Sequence, residues 1–552
     1  MAYPASADQA GGDKTETLVN TSSDQSENSL TPSPYLTGWR LRCSIAGLML
    51  GVFLASMEAT IVSTALVNIV DDLQAFRDGA WVINAYLVAF TGTLLVWAQF
   101  SLVIGRKLSL ALAYVLFIAF SIGCAVASTS IQLIVLRAFQ GVGGAGVFNI
   151  SMTMIAEAVS PAEYPKYVAM VSVMYVLSYA LGPLIGGAIA AHTTWTWIFW
   201  INVPAAFVPL ALAELGIPPG FPHQHERKYA GADHAGVDHA GKSGNRIGRL
   251  DLPGGVLFLA ACILLLVALQ GADISWDWSS TVSICLLVFA GASFALFVFW
   301  ERQITLSASP RVPLLTWEFC NLKTVSLLSS FALVSTPFIS NLVSLPERFQ
   351  VVNGLNSFDA AIRLLPFVVV IPLFSVISAV LVSALKVRYI YVLLTGIGFQ
   401  LAGVLLFAFA NPSSTGAVPA RTYGFEVILA IGSGINNTVL TTGVPFVVSK
   451  KLIPTAMGAG MQFRYLGGAI GLGIMTAVLD STIKSSLSAI FTPEQITELL
   501  RSSGNAGALS PDKQLLVKLA YEDAFQLQWK VLIGFVAAQI PLAVIMFWRS
   551  KR

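Results

Sequence analysis

Two ionisable residues stand where chemistry is least expected. Glu58 lies in Leu54-Ala-Ser-Met-Glu-Ala-Thr-Ile-Val and Arg137 in Ile134-Val-Leu-Arg-Ala-Phe, both otherwise apolar stretches. A charge inside hydrocarbon costs about 2.5–3.5 kcal/mol on insertion scales, so each is a functional candidate. A carboxyl beside a guanidinium holds its charge, and a widening gap between them lets the acid take a proton. The same two residues would serve equally as a static buried ion pair that fixes packing. The residues alone leave both readings open.

Other polar groups share this setting. Arg363 follows Asp359 by four residues near the end of an apolar run, which favours a local ion pair. Arg464 must face a polar interior, either lining a cavity or clamping carbonyls. Gln140, Asn149, Asn436, Asn437 and Gln462 could line a pathway or tie helices together. Gly182-Pro183-Leu-Ile-Gly186-Gly187 combines a kink with a smooth glycine face, a possible rocking seam. The five cysteines show no disulfide framework or metal spacing, and only His192 approaches a membrane boundary without a loop around it. No nucleophile–base pair or metal cluster marks an enzyme, and no cofactor is expected.

The elements that position these residues follow from composition. Of 552 residues 55% are hydrophobic and 11% charged, with a mean hydropathy of +0.74. A soluble domain carries roughly 25% charge, so the chain belongs in a bilayer, and a net charge of +3 gives no reason to expect a nucleic-acid partner. Runs near 20 residues suffice to cross about 30 Å of hydrocarbon as helices. Fourteen are read, at 43–66, 80–100, 108–128, 131–156, 167–191, 197–217, 252–270, 280–300, 324–344, 360–383, 388–410, 422–443, 457–479 and 528–548.

With the N-terminus inside, 21 of the 32 Lys and Arg residues fall on the cytoplasmic side and eight outside, which fixes the orientation. Both termini are then cytoplasmic. Counted from the outer ends of their spans, Glu58 and Arg137 sit at depths of roughly 12 and 9 Å, close enough to meet.

The domain reading is a disordered tail (1–42), a first six-helix bundle (43–217), a linker (218–250), two inserted helices (251–300), a linker (301–323), a second six-helix bundle (324–548) and a cytoplasmic end (549–552). Loop 480–527 is expected outside, with a helical pattern (Gln514 to Phe525) lying on the outer face.

Two nucleotide motifs are false. Gly236-Val-Asp-His-Ala-Gly241-Lys242-Ser243 matches a phosphate loop, but it sits in a short linker without the flanking strand and domain. Gly141-Val-Gly143-Gly-Ala-Gly146 matches a dinucleotide fingerprint, yet inside a membrane helix it signals close packing. The histidines of loop 218–250 read as part of a flexible linker rather than a metal site.

A shift of 289 residues aligns Gly143 with Gly432, Pro165 with Pro454, Gly182 with Gly471 and Ile185 with Ile474. Spans 4–5 thus repeat as spans 12–13 in the same orientation. Parallel halves about a membrane-normal axis are a transporter signature.

Together these segments resemble the major facilitator superfamily, specifically its fungal-type 14-span drug:proton antiporters, over about 43 to 550. The resemblance rests on Leu54 to Leu66, Trp81-Val-Ile-Asn-Ala-Tyr86-Leu, Leu136-Arg137-Ala-Phe-Gln140-Gly141-Val-Gly143, Leu181-Gly182-Pro183-Leu-Ile-Gly186-Gly187, Trp197 to Pro204, Leu345 to Gln350 and Gln462-Phe-Arg464-Tyr-Leu-Gly467-Gly468. It departs after the second span, where Gly105-Arg106-Lys107 remain but Leu102 replaces the Asp that normally latches the cytoplasmic gate. Such resemblance implies an all-α fold of two six-helix bundles plus two inserted helices. It implies proton-driven export of a drug, toxin or secondary metabolite by alternating access. Glu58 and Arg137 would couple protons. Tyr86, Gln140, Asn149, Asn436, Asn437, Gln462 and Arg464 would line the cavity of a monomer in the plasma membrane. An uptake carrier on the same fold, a vacuolar membrane and a non-transporting sensor are the alternatives.

Overall fold

The computed structural model describes residues 35–62, 65–73, 79–160, 162–219, 221, 251–271, 276, 278–307, 311, 313–355, 357–410, 418–449, 452–488, 490–492, 495–496 and 510–547. Most of the N-terminal tail, most of linker 218–250 with its phosphate-loop match and histidines, part of loop 480–527 and the last five residues lie outside the described residues.

Among the described residues fourteen helices are long and apolar enough to cross a membrane. They are α1 (Gly38–Ile61), α2 (Trp81–Ile104), α3 (Arg106–Ala125), α4 (Ser130–Ala158), α5 (Tyr164–Ala190), α6 (Trp197–Gly216), α7 (Leu252–Leu269), α8 (Thr281–Leu306), α9 (Leu322–Val351), α10 (Leu365–Ser383), α11 (Tyr389–Ala408), α12 (Ala420–Val447), α13 (Thr455–Leu487) and α14 (Asp512–Phe547). Local sequence sets several boundaries. Thr129, Ser280 and Asn321 cap α4, α8 and α9 through side-chain oxygens that accept from the backbone three residues on. Gly105, at φ +108, turns the chain between α2 and α3 in a conformation that a β-carbon would disfavour.

Several helices run beyond their apolar cores. Helix α9 continues to Val351, so Arg348, expected in an outer loop, lies on its last turn and is buried. The pattern from Gln514 to Phe525 does not lie on a surface as a separate helix. Pro511–Ala537 is one helix, so that pattern is the first part of α14. In both places a polar stretch continues the helix because its partners are protein: Arg348 of α9 pairs with Glu522 of α14. Helix α8 also takes in residues 301–306 of the expected linker.

The two halves are built alike. In the first, α1 packs on α4, α5 and α6, and α4 packs on α2 and α3. In the second, α9 packs on α12, α13 and α14, and α12 packs on α10 and α11. The repeat shows in atoms as well. A β-carbon on Gly182 of α5 would strike Thr60 of α1, and one on Gly471 of α13 would strike Thr336 of α9. Small residues let these backbones approach closely.

Between the halves, α5 faces α10 and α12 while α13 faces α2 and α4, as a twofold relation requires. Helix α7 docks on α2 and α13, straddling that boundary. Helix α8 packs on α7 and leaves Val288, Phe289, Leu296 and Phe299 exposed, the composition of a lipid-facing surface. Asp251 secures the pair, accepting from Gly254 N (3.1 Å) and from Trp300 Nε1 of α8 (2.8 Å).

Candidate functional site

Glu58 and Arg137 meet. The Arg137 Nη1 group donates to Glu58 Oε1, and both side chains are fully buried. The other carboxyl oxygen accepts from Asn202 Nδ2 of α6 at 2.6 Å. Arg137 also donates from Nε to the Val82 carbonyl (3.1 Å) and from Nη1 to Gln140 Oε1 (2.9 Å), one turn along α4. Gln140 passes the chain on to Ser121 Oγ (2.8 Å) of α3. The guanidinium lies 4.6 Å from the Tyr86 ring centroid and 5.7 Å from that of Phe199, within cation–π range. Tyr86 is held by its hydroxyl, which donates to the Ala55 carbonyl at 2.9 Å. Helices α1, α4 and α6 thus meet at one carboxyl, with α2 holding Arg137 and α3 holding Gln140.

The glycines expected to pack do so here. Gly141 and Gly144 seat α4 against Tyr86 of α2, and Gly143 seats it against the Phe117 backbone of α3. Gly182 presses α5 onto Thr60 and Ile61, within one turn of Glu58. Thr60 Oγ1 donates to the Met57 carbonyl at 3.0 Å. Gly186 is buried, and a β-carbon on Gly187 would meet nothing within 4 Å. The side chain of Pro183 lies outside the described residues.

Between the halves lies a cavity. Its walls include Tyr175 and Tyr179 of α5, Phe338 of α9, Asn437 of α12 and Arg464 of α13. The Arg464 guanidinium lies 5.5 Å from the Tyr175 ring centroid. Aromatic rings connect the two sites. Tyr86 stacks on Phe90 at 5.8 Å, Phe90 meets Phe148 at 5.6 Å, and Phe148 meets Tyr175 at 5.7 Å.

The remaining expected residues divide between these sites and interhelical ties. Asn437 and Arg464 line the cavity, whereas Tyr86 and Gln140 belong to the Glu58 cluster. Asn149 donates to the Leu94 carbonyl, tying α4 to α2. Asn436 donates to Gln400 Oε1 of α11 at 3.2 Å. Gln462 accepts from Leu95 N at 3.1 Å and donates to the Thr91 carbonyl, joining α13 to α2 across the boundary of the halves. Arg363 donates to the Tyr423 hydroxyl.

Arg106 has an acid partner despite Leu102. It binds Glu157 of α4 in two places, from Nε at 3.1 Å and from Nη2 at 2.7 Å, and it donates to Ser101 Oγ. Lys107 donates to the carbonyls of Glu214 (2.7 Å) and Ile217 (2.9 Å) at the end of α6. On this face the halves also touch, where Tyr164 Oη lies 3.8 Å from Met457 Sδ.

Asn202, Glu157 and Tyr175 have partners far away in the chain, so spacing could not assign them. Glu426, by contrast, is legible in the sequence as a charge out of place. It lies inside the apolar span 422–443 and stands 289 residues after Arg137, in register with the repeat.

Known proteins share this fold. The model of the Major Facilitator Superfamily matches residues 48–472. An MFS-type transporter, FPY5, of Fusarium mangiferae is 35% identical over 528 residues, covering 96% of this chain and 87% of the relative. The rubrofusarin-specific efflux pump aurT of Gibberella zeae is 28% identical over 462 residues, covering 83% and 80%. The crystal structure of the human organic anion transporter MFSD10 shares the fold, with a TM-score of 0.54 at 12% identity over 90% of this chain and 99% of that one. Two related six-helix halves around a central cavity, with a family match across most of the chain, place this protein in the major facilitator superfamily.

Proposed function

We propose that this transporter exports a hydrophobic small molecule in exchange for protons, and that Glu58 is the proton carrier. The observation that carries the reading is the Glu58 cluster. A carboxyl with no exposure is held by a guanidinium and an amide from two other helices, so relative movement of α1, α4 and α6 changes its partners and its hold on a proton. Protonation would release Arg137 from Glu58, and the rings from Tyr86 to Tyr175 would carry that change to the cavity wall. Gly182 is the close contact about which α1 and α5 would move.

The cavity suits an apolar, partly aromatic substrate, with Asn437 and Arg464 as its polar contacts. Export is favoured by similarity to proteins described as efflux pumps. The Lys and Arg distribution favours a cytoplasmic position for the face with Arg106 and for both termini, and export would serve the cell at the plasma membrane.

The test is a compound panel that includes rubrofusarin, applied to a pump-deficient yeast expressing the protein. Lower accumulation identifies a substrate. Proteoliposomes then report proton flux driven by that substrate. The wild type should couple the two, and Glu58→Gln should abolish coupled flux while the protein stays folded. Undiminished coupled flux in Glu58→Gln would refute the role of Glu58.

A further inference from the structure

The second half holds a buried charge cluster of its own. It uses the same helix positions as the Glu58 site: the first, fourth and sixth of the half. In place of Glu58, Arg137 and Asn202 stand Arg348 on α9, Glu426 on α12 and Glu522 on α14. The 289-residue shift carries Arg137 onto Glu426, so the acid and base exchange helices between the halves.

Glu426 has no exposure, and neither carboxyl oxygen makes a hydrogen bond of good geometry. Facing it are the Arg348 guanidinium and the Phe367 backbone of α10. Arg348 Nη2 reaches Glu522 Oε1 at 3.4 Å. Its Nε and Nη1 are buried without partners, so one cation stands between two acids and satisfies neither fully. Arg421, on the turn of α12 before Glu426, is the other charge facing Arg348. A small second cavity opens on the Arg348 and Glu522 side of the cluster, lined by Arg421, Thr422 and Gln526 and by the rings of Phe407, Phe425 and Trp529. Its polar side has room for about one water.

A buried carboxylate without hydrogen bonds is costly, whereas the neutral acid is not. Full burial of an acid that makes no hydrogen bond of good geometry, next to a cation shared with a second acid, is the setting of a group that binds protons rather than one that fixes packing.

We propose that Glu426 is a second proton-binding carboxyl, filled from the water of this cavity, with Arg348 shared between Glu426 and Glu522. Binding forms an O–H bond on Glu426 with a proton taken from cavity water. Arg348 is then left to Glu522 alone, and release returns the proton by the same route. The proposal extends the proton-coupled reading, but its test does not depend on transport.

The experiment is pH-difference infrared spectroscopy of the purified protein in lipid nanodiscs, following the carbonyl stretch of protonated carboxyls. Glu426→Gln should remove one pH-dependent band that remains in Glu58→Gln. Arg348→Gln should move the pH at which that band is lost. If Glu426→Gln does not fold, Glu426→Asp should shift the frequency of the same band. An unchanged set of bands in the folded Glu426→Gln protein, or in Glu426→Asp, would overturn the proposal. Because coupled flux is read separately in Glu58→Gln, the two readings can fail independently.

Discussion

Gln462 offers the sharpest test of how the two halves are held. Its side-chain amide accepts from Leu95 N and donates to the Thr91 carbonyl. Those two groups would pair with each other in an uninterrupted helix. The amide of α13 therefore bridges two backbone groups of α2 that lie one turn apart. Any state in which α2 and α13 part must give up both bonds. Interhelical hydrogen bonds in membranes average about 0.6 kcal/mol each. Two of them amount to about 1.2 kcal/mol, or roughly sevenfold in a conformational equilibrium.

Gln462→Leu keeps similar bulk and removes the polar bridge. Nitroxide labels at Leu102→Cys and Ser449→Cys, both exposed on the face with Arg106, would report the separation by electron–electron double resonance. The labels require a background without the five native cysteines, all of them free thiols. The expected result is about a sevenfold rise in the ratio of separated to closed molecules. An unchanged distance distribution would show that Gln462 does not hold the halves together, and the clamp reasoning would fail.

Three further outcomes follow from contacts in the first half. Gly182→Ala drives a β-carbon into Thr60 and should cost about 1–3 kcal/mol, as overpacking does. Thermal unfolding should show the loss, and adding Thr60→Ala should recover most of it. Arg106→Ala breaks a two-point pair whose acid is 15% exposed, so its cost should fall near the lower end of about 3–5 kcal/mol. Leu102→Asp should leave the melting temperature nearly unchanged, because Glu157 already serves Arg106. A large gain from that aspartate would mean the Glu157 pair is not the working partner.

Hydropathy was strong enough to give fourteen spans, because twenty apolar residues have few other uses. It failed at helix ends, where protein partners replace lipid. Arg348 and the start of α14 look like loop by composition, yet each is helical because the other covers it. The candidate site shows the same division. Glu58 and Arg137 were legible as charges out of place. Leu102 suggested a missing latch, but Arg106 takes its acid from Glu157, 51 residues away. Polar residues such as Asn149 and Gln462 had two open readings, and only their neighbours showed that they tie helices.

The sequence by itself determined that this is a membrane protein of two repeated halves with a few costly charges inside it. Those conclusions need only local composition, periodicity and the energy of a charge in hydrocarbon. The tertiary structure decided which groups answer those charges: Asn202 for Glu58, Glu157 for Arg106, and Arg348 between two acids in the second half. A buried charge announces itself in sequence because it is expensive wherever it lies. Its partner does not, because an amide or a carboxylate is ordinary until the fold places it within three ångströms or so of the group that needs it.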